Sequence, residues 1–259
     1  MTHTTFDVST APGYAVLASM GKTVLRPGGR AATEQLFEWA DFKPGQTVLE
    51  LATGLGKSAI ELAKKYGVTV FCLEQNSDTV LAARANVRLA GLEHLVQIVQ
   101  GNIFGLDAIS HQFDYILAEA ILTMQSPSAK AKLLRDVYSH LKPGGHFLSH
   151  ELSVLHQEDE LHHILNSTLH VNATPLTVEH WIDTFADAGL SIQHHQTGDM
   201  HLLKLPQVIH DEGWVNTLRL VWSLMTQPQL RQRILSMRKI FQQHHQDLRY
   251  IIISTIKNS

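Results

Sequence analysis

The chain has 259 residues, 44% of them hydrophobic, which is enough to bury a full core and close to the upper size of a single α/β domain. Lys and Arg number 21 against 24 Asp and Glu, a formal charge of -3, so no general attraction to nucleic acid or an anionic surface is expected and any basic patch must be local. The opening MTHTTFDVSTAPGY has the pattern of neither a secretion signal nor a transit peptide, and no apolar run reaches the roughly 20 residues of a membrane span, so a cytoplasmic protein without a transmembrane segment is expected. The one cysteine, Cys72, excludes an internal disulfide and a cysteine-cluster metal site.

In chain order, residues 1–46 read as an N-terminal helical cap segment, with a turn at Arg26-Pro27-Gly28-Gly29 and a helix from about Ala31 to Trp39. From residue 47 short β-branched runs alternate with helical patterns, the signature of a parallel sheet covered on both faces. TVLELA (47–52) is the first strand. A helix over 57–66 follows, because Ala59, Leu62, Ala63 and Tyr66 recur at i, i+3, i+4 and i+7, and Gly67 closes it. VTVFCLE (68–74) is the second strand, with Cys72 as a small buried hydrophobe, and a helix over 77–89 is capped by Ser77 or Asp78 and ended by Gly91. VQIVQ (96–100) and DYILAE (114–119) are the third and fourth strands. A helix over 128–141 stops at LKPGG, and HFLSHEL (146–152) is the fifth strand. Helical patterns near 157–169 and 177–188 precede a strand at LSIQHHQTG, a helical stretch over 208–245 breaks near Pro228, and LRYIIISTIK (248–257) is a last strand. The expected organisation is one domain over 47–259 with helical insertions at about 155–188 and 207–246.

The sharpest signal is VLELATGLGKSAIELA (48–63), in which a strand carrying an acid passes through a Gly-x-Gly loop into a helix. Gly54 and Gly56 let the backbone turn tightly against a ligand, and the helix presents free N–H groups there. Three ligand classes use such a loop. A nucleoside triphosphate needs the spacing GxxxxGK[ST], and Leu51 stands where its first glycine belongs. A nicotinamide or flavin dinucleotide is compatible with Gly54, Gly56 and Ala59 and with Glu74 further on, which keeps an NAD(P)-dependent oxidoreductase as an alternative. Glu50, four residues before Gly54, repels a pyrophosphate and suits a ligand that brings a positive centre to the loop.

Glu50-Leu-Ala-Thr-Gly54-Leu-Gly56 resembles the first motif of class I S-adenosylmethionine-dependent methyltransferases, acid-x-x-x-Gly-x-Gly, and the later motifs follow in the family's order. The resemblance is good over 47–152 and the last strand, and looser elsewhere, where it points to bacterial small-molecule methyltransferases of the quinone-biosynthesis type. It implies a Rossmann-like, mostly parallel seven-stranded sheet with an antiparallel last strand, helices on both faces, and S-adenosylmethionine as cofactor. It also implies cofactor contacts from Glu50, Ala52, Thr53, Gly54 and Gly56, from Glu74 and Gln75 at the ribose, and from Gly101, Asn102 and Ile103 at the adenine. Asn102 replaces the family's usual Asp and can still accept a hydrogen bond from the adenine amino group.

Methyl transfer is an in-line displacement from an activated donor, so alignment and exclusion of water are the main tasks. Glu119 and His150, at the ends of the fourth and fifth strands, are the candidate catalytic groups, with Glu119 also a candidate cofactor contact. Arg26, with free N–H groups of the turn at Gly29, is placed to meet the cofactor's carboxylate. Tyr14, Met20, Met124 and Trp214 are candidates to line the pocket of a small-molecule acceptor. HQEDELHH (156–163) sets Glu158 and His162, and Asp159 and His163, at helical i, i+4 spacing, but with no third ligand in view a solvated face is expected and no metal. Between Gly213 and Gln246 there is no Asp or Glu, and Leu230, Ile234, Met237 and Phe241 make an amphipathic helix with a basic face, a cap over the acceptor or a surface for a homodimer. A non-catalytic S-adenosylmethionine sensor or partner subunit is the remaining alternative.

Overall fold

The computed structural model describes residues 7–258. Strands β1 (Thr47–Leu51), β2 (Thr69–Glu74), β3 (Val96–Gln100), β4 (Phe113–Glu119), β5 (Leu141–Val154), β6 (Leu190–Asp199) and β7 (Leu248–Lys257) form one seven-stranded sheet in the order β3-β2-β1-β4-β5-β7-β6. β1 to β5 pair in parallel, and β7 runs antiparallel between β5 and β6. This is the Rossmann-like sheet with a reversed last strand that the resemblance implied. The order reverses between β1 and β4, so a crevice opens at their carboxyl ends, where open α/β sheets hold ligands.

Helices α1 (Gly13–Ser19), α2 (Gly29–Ala40), α3 (Lys57–Tyr66), α4 (Ser77–Leu89), α5 (Pro127–His140), α6 (Glu158–Leu169), α7 (Val178–Asp187), α8 (Leu205–Thr226) and α9 (Pro228–Gln243) complete the chain. Val48, Val70, Cys72, Leu117, Leu148 and Ile252 point to one sheet face, where they pack with Leu36 and Phe37 of α2 and the apolar stripes of α3 and α4. Leu49, Leu51, Ile116, Phe147, Ile251 and Ile253 point to the other, against Leu133, Leu134 and Val137 of α5 and Trp181 and Phe185 of α7. Burying each Leu or Phe in these layers is worth about 1.5–3 kcal/mol. Because side chains alternate along a strand, Glu50, Glu119 and His150, each two residues beyond Val48, Leu117 and Leu148, emerge on the α2 side.

Three local expectations are corrected. The cap of α4 is Asn76, whose side chain accepts from Thr79 N–H at 2.9 Å, so that Ser77 is already inside the helix. LKPGG does not separate helix from strand: it forms a bulge within β5, where pairing with β4 jumps from Phe113↔Leu141 to Tyr115↔His146. The helical stretch 205–226 has a second break at Gly213, whose φ of 75° and ψ of 165° are open to glycine and not to a helix.

Candidate functional site

Between β1 and α3 the chain passes through Ala52, Gly54 and Gly56 at φ of 54°, 57° and 74°. The glycines adopt this left-handed conformation freely, whereas Ala52 carries a penalty of roughly 1–2 kcal/mol. A Cβ added to Gly54 would meet nothing within 4 Å, so the space over the loop is open; the N–H groups of Thr53, Gly54 and Gly56 are bonded to Leu73, Glu74 and Thr53, and among the described residues no side chain caps the first turn of α3.

Two carboxylates meet this loop. Glu50 is 4% exposed and accepts from the Thr53 hydroxyl at 2.7 Å and the Cys72 thiol at 3.7 Å. Burial, with the repulsion of Glu119 added, outweighs the Thr53 bond and pushes its pKa up to about 8. Glu74 accepts from Gly54 N–H at 3.0 Å and Asn76 N–H at 2.9 Å, and each of its oxygens keeps a lone pair for a further donor. Gly101 N–H extends the ladder to the Glu74 carbonyl, and the Asn102 side-chain oxygen accepts from Phe104 N–H at 2.9 Å. Gln75 and Asn102 are exposed beside them, and Ile103 is half-buried.

Glu119, at the end of β4, is the centre of a second cluster. Arg26 places Nη1 at 2.8 Å from Glu119 Oε1 and 2.7 Å from Thr33 Oγ1, and Nη2 at 2.9 Å from Ser58 Oγ. The hydroxyls of Thr33 and Ser58 then donate to Glu119 Oε1 at 2.5 Å and Oε2 at 2.7 Å. Burial alone raises the Glu119 pKa, but Arg26, His150 and Thr33 overcome it and hold the carboxyl at about 2. His150 is fully buried. Its Nε2 accepts from Gly28 N–H at 3.0 Å, which assigns the proton to Nδ1, facing Thr33 Oγ1 at 3.2 Å. Burial holds the imidazole below its ordinary pKa, in keeping with a neutral ring. The neighbouring Glu151 is committed elsewhere, accepting from the N–H groups of Ile121, Leu122 and Thr123 and from the Thr123 hydroxyl.

The expected free N–H groups of the Arg26–Gly29 turn are not free. Gly28 N–H goes to His150, Gly29 N–H to the Arg26 carbonyl at 3.1 Å, and Arg30 N–H to Asp211 Oδ1 at 2.9 Å. An acid from α8 thus occupies the positive end of α2, and of this expected carboxylate site only the Arg26 guanidinium remains available.

A model of a methyltransferase domain family matches residues 48–145, the segment that runs from β1 through the glycine loop to β5. Over 246 residues, 95% of this chain and 98% of the other, the chain is 30% identical to an uncharacterized protein of Haemophilus influenzae. It is 34% identical over 122 residues to methyltransferase GfsG of Streptomyces halstedii, a match that covers 47% of this chain and 43% of that one. The crystal structure of a SAM-dependent methyltransferase from Thiobacillus denitrificans, in complex with S-adenosyl-L-homocysteine, superposes with a TM-score of 0.71 at 14% identity, covering 95% of this chain and 98% of that chain. The chain belongs to the class I S-adenosylmethionine-dependent methyltransferases. None of these relatives is named as a quinone-biosynthesis enzyme.

In this methyltransferase the four residues expected at an acceptor pocket are not gathered together. Met20 is buried with Val16, Leu17, Leu220, Leu230, Ile234 and Met237, in the core that joins α1 to α8 and α9. Met124 packs on a neighbouring cluster around Leu152, Leu161 and Leu165, while Tyr14 and Trp214 are exposed. In the His-rich segment Glu158 accepts from His180 Nδ1 at 2.7 Å and from Thr177 N–H, and His162 stacks on His163. Among the described residues no group of three or more His, Cys, Asp or Glu is placed to hold a metal ion.

Thr33, Ser58 and Gly28 join the site without having been singled out for it. Gly28 is required by close approach, since a Cβ there would lie 2.6 Å from Ala32 and 2.7 Å from the Tyr250 ring. Lys22, Asp211 and Glu212 also escaped notice: the buried Lys22 ammonium lies 3.9 Å from Asp211 and 3.6 Å from Glu212, tying the N-terminal segment to α8. The acids at 211 and 212 end just where the acid-free stretch begins, and that edge is the signal that marks them.

Proposed function

We propose that this methyltransferase transfers a methyl group to a small-molecule acceptor by in-line displacement, on a seat built from the 52–56 loop, Glu50, Glu74 and Arg26. The observation that carries this reading is a pair of acids on one open glycine loop, Glu50 on Thr53 and Glu74 on Gly54. Among the described residues the hydrogen bonds to the Glu50 carboxylate come from Thr53 and Cys72, so a buried acid under the loop awaits a cation. That charge suits an ammonium or sulfonium and disfavours the diphosphate of a dinucleotide.

S-adenosylmethionine supplies there a methyl carbon already activated on sulfur. Glu74 has the free lone pairs to accept the ribose hydroxyls, with Gln75 beside it, and Gly101, Asn102 and Ile103 border the adenine side. Ala52, Thr53, Gly54 and Gly56 form the floor. Arg26 offers its guanidinium to the cofactor's carboxylate, and Glu119 with Thr33 and Ser58 aims it. Glu119 and His150 act in this reading as positioning residues: one anchors Arg26, and the other anchors Gly28 with both ring nitrogens engaged and no path to an acceptor. The 47–259 domain carries the loop and the acids of the seat, and the segment before it, as far as it is described, closes over the strand ends and adds Arg26 and Thr33.

Calorimetry with S-adenosylhomocysteine tests the seat. Glu74→Ala is expected to weaken binding by about 1–3 kcal/mol through the loss of two charge-assisted bonds, and an unchanged affinity overturns the role of Glu74. A response to NAD with none to S-adenosylhomocysteine would replace the whole reading with a dinucleotide enzyme. Release of S-adenosylhomocysteine across thiols, amines, phenols and acids then identifies the acceptor, and silence across all four classes counts against small-molecule transfer.

A further inference from the structure

Beyond Gly213, helix α8 has two apolar sides. Leu220 is buried against α1 and α9, as helix packing requires, and Thr217 is buried with its hydroxyl on the Gly213 carbonyl. Trp214, Val215, Leu218, Trp222 and Met225 are nonetheless 66–69% exposed, and Val221 adds 40%. At 100° per residue these six side chains fall within an arc of about 120°, facing away from the buried side. Contiguous apolar faces of this kind exceed the scattered exposure ordinary for a monomer and mark a surface that meets something.

Charge selects the occupant. From Gly213 to Gln246 there is no acidic residue, while Arg219, at the margin of the apolar arc, and Arg231, Arg238 and Lys239 on α9 are all exposed. The two acids that precede the stretch are consumed inside the fold: Asp211 by Arg30 N–H and Gln207, Glu212 by the N–H groups of Thr23 and Val24. A second copy laid on this face in two-fold symmetry would bring the same cations and no acids to receive them. An anionic lipid surface supplies both missing parts, an apolar layer for two tryptophans, Leu and Met, and negative headgroups for Arg219 at the arc's margin and for the exposed cations of α9. We propose that α8 is an interfacial helix which docks this protein on anionic membrane surfaces, lying in the headgroup region without crossing it. Among the described residues no helix is long and apolar enough to span a bilayer.

The test is flotation of the full chain with phosphatidylcholine vesicles and with vesicles carrying about 30% phosphatidylglycerol, together with tryptophan emission. Binding to the anionic vesicles is expected to exceed that to neutral ones about tenfold, to shift the emission to shorter wavelength, and to weaken as salt rises from about 0.05 to 0.5 M. Leu218→Asp and Trp222→Asp, each checked for an unchanged S-adenosylhomocysteine affinity and a native circular dichroism spectrum, are expected to lower vesicle binding about tenfold. Absence of binding to both vesicle types overturns the proposal, as does binding of both variants equal to that of the wild type. A dimer in sedimentation that Trp222→Asp dissociates overturns it in favour of a second copy.

Discussion

The strand-end wall and the α8–α9 cap solve opposite problems with the same chain. At the wall, polar side chains are buried and support one another: Arg26, Thr33, Ser58, His150 and Glu119 share a set of bonds that leaves part of the Arg26 guanidinium unused, so that a charge can sit out of water at modest cost. In the cap, apolar side chains are left in water and the nearby cations lack local acids. The wall thus holds its own shape and leaves only Glu50, Glu74 and the spare Arg26 donors for a ligand, whereas the cap is complete only against a partner. The most severe way to break the wall is Glu119→Gln, which leaves the half-buried Arg26 guanidinium without its counter-charge. Urea unfolding at neutral pH is expected to show a loss of about 3 kcal/mol, partly recovered by adding Arg26→Met. The sign with pH follows from a folded pKa near 2 against an ordinary 4.5: the stabilisation is present above 4.5 and is lost as pH falls toward 2, so wild type and variant converge in acid. A variant as stable as wild type at neutral pH would mean that the cluster is not held by charge.

Glu50 gives the opposite sign and sharpens the view of the wall as a seat awaiting a cation. Its folded pKa near 8 lies above the ordinary 4.5, so the cofactor-free protein is favoured by the protonated acid at low pH and loses that contribution as pH rises through 8. A ligand ammonium reverses the preference, and its binding must displace the proton. S-adenosylhomocysteine affinity is therefore expected to rise between about pH 5 and 8, by up to roughly tenfold per unit, and calorimetry in buffers of different ionisation enthalpy should register the released proton. Glu50→Gln flattens the profile; a flat profile in the wild type would separate Glu50 from the ligand's charge.

Much of this contrast was legible in the sequence, for identifiable reasons. The helices at 57–66 and 77–89 and the strand at 96–100 fall where periodicity puts them, because Gly67, Gly91 and the β-branched runs are local signals. The glycine loop and its acid were legible for the same reason. The partners of Glu119 were not: Thr33 and Ser58 are ordinary residues of α2 and α3 until the β4–β5 register brings Glu119 beside His150 on the α2 side. Capture of the α2 N-terminus by Asp211 depends on a contact 181 positions away, beyond any local pattern. The acceptor residues fared worst. Met20 and Trp214 have apolar types that serve a core, a pocket or a surface equally well, and only burial tells them apart.

The smallest expected effect addresses the cap. Trp222→Ala removes a large indole that is 67% exposed, whereas Leu220, two positions earlier, is 5% exposed and buried with Leu230 and Ile234. If the outer face of α8 is free in dilute solution, little area is lost from contact when the indole goes, and the substitution is expected to change unfolding free energy by no more than about 0.5 kcal/mol, as at other exposed sites. Alanine is also the better helix former, which offsets part of any loss. The measurement is urea unfolding at two protein concentrations a hundredfold apart. A loss above about 1 kcal/mol that grows with concentration would mean that the face is covered by another copy, because only association makes stability depend on concentration. A similar loss independent of concentration would mean that the indole packs within the cap, and the face that distinguishes the cap from the wall would not exist.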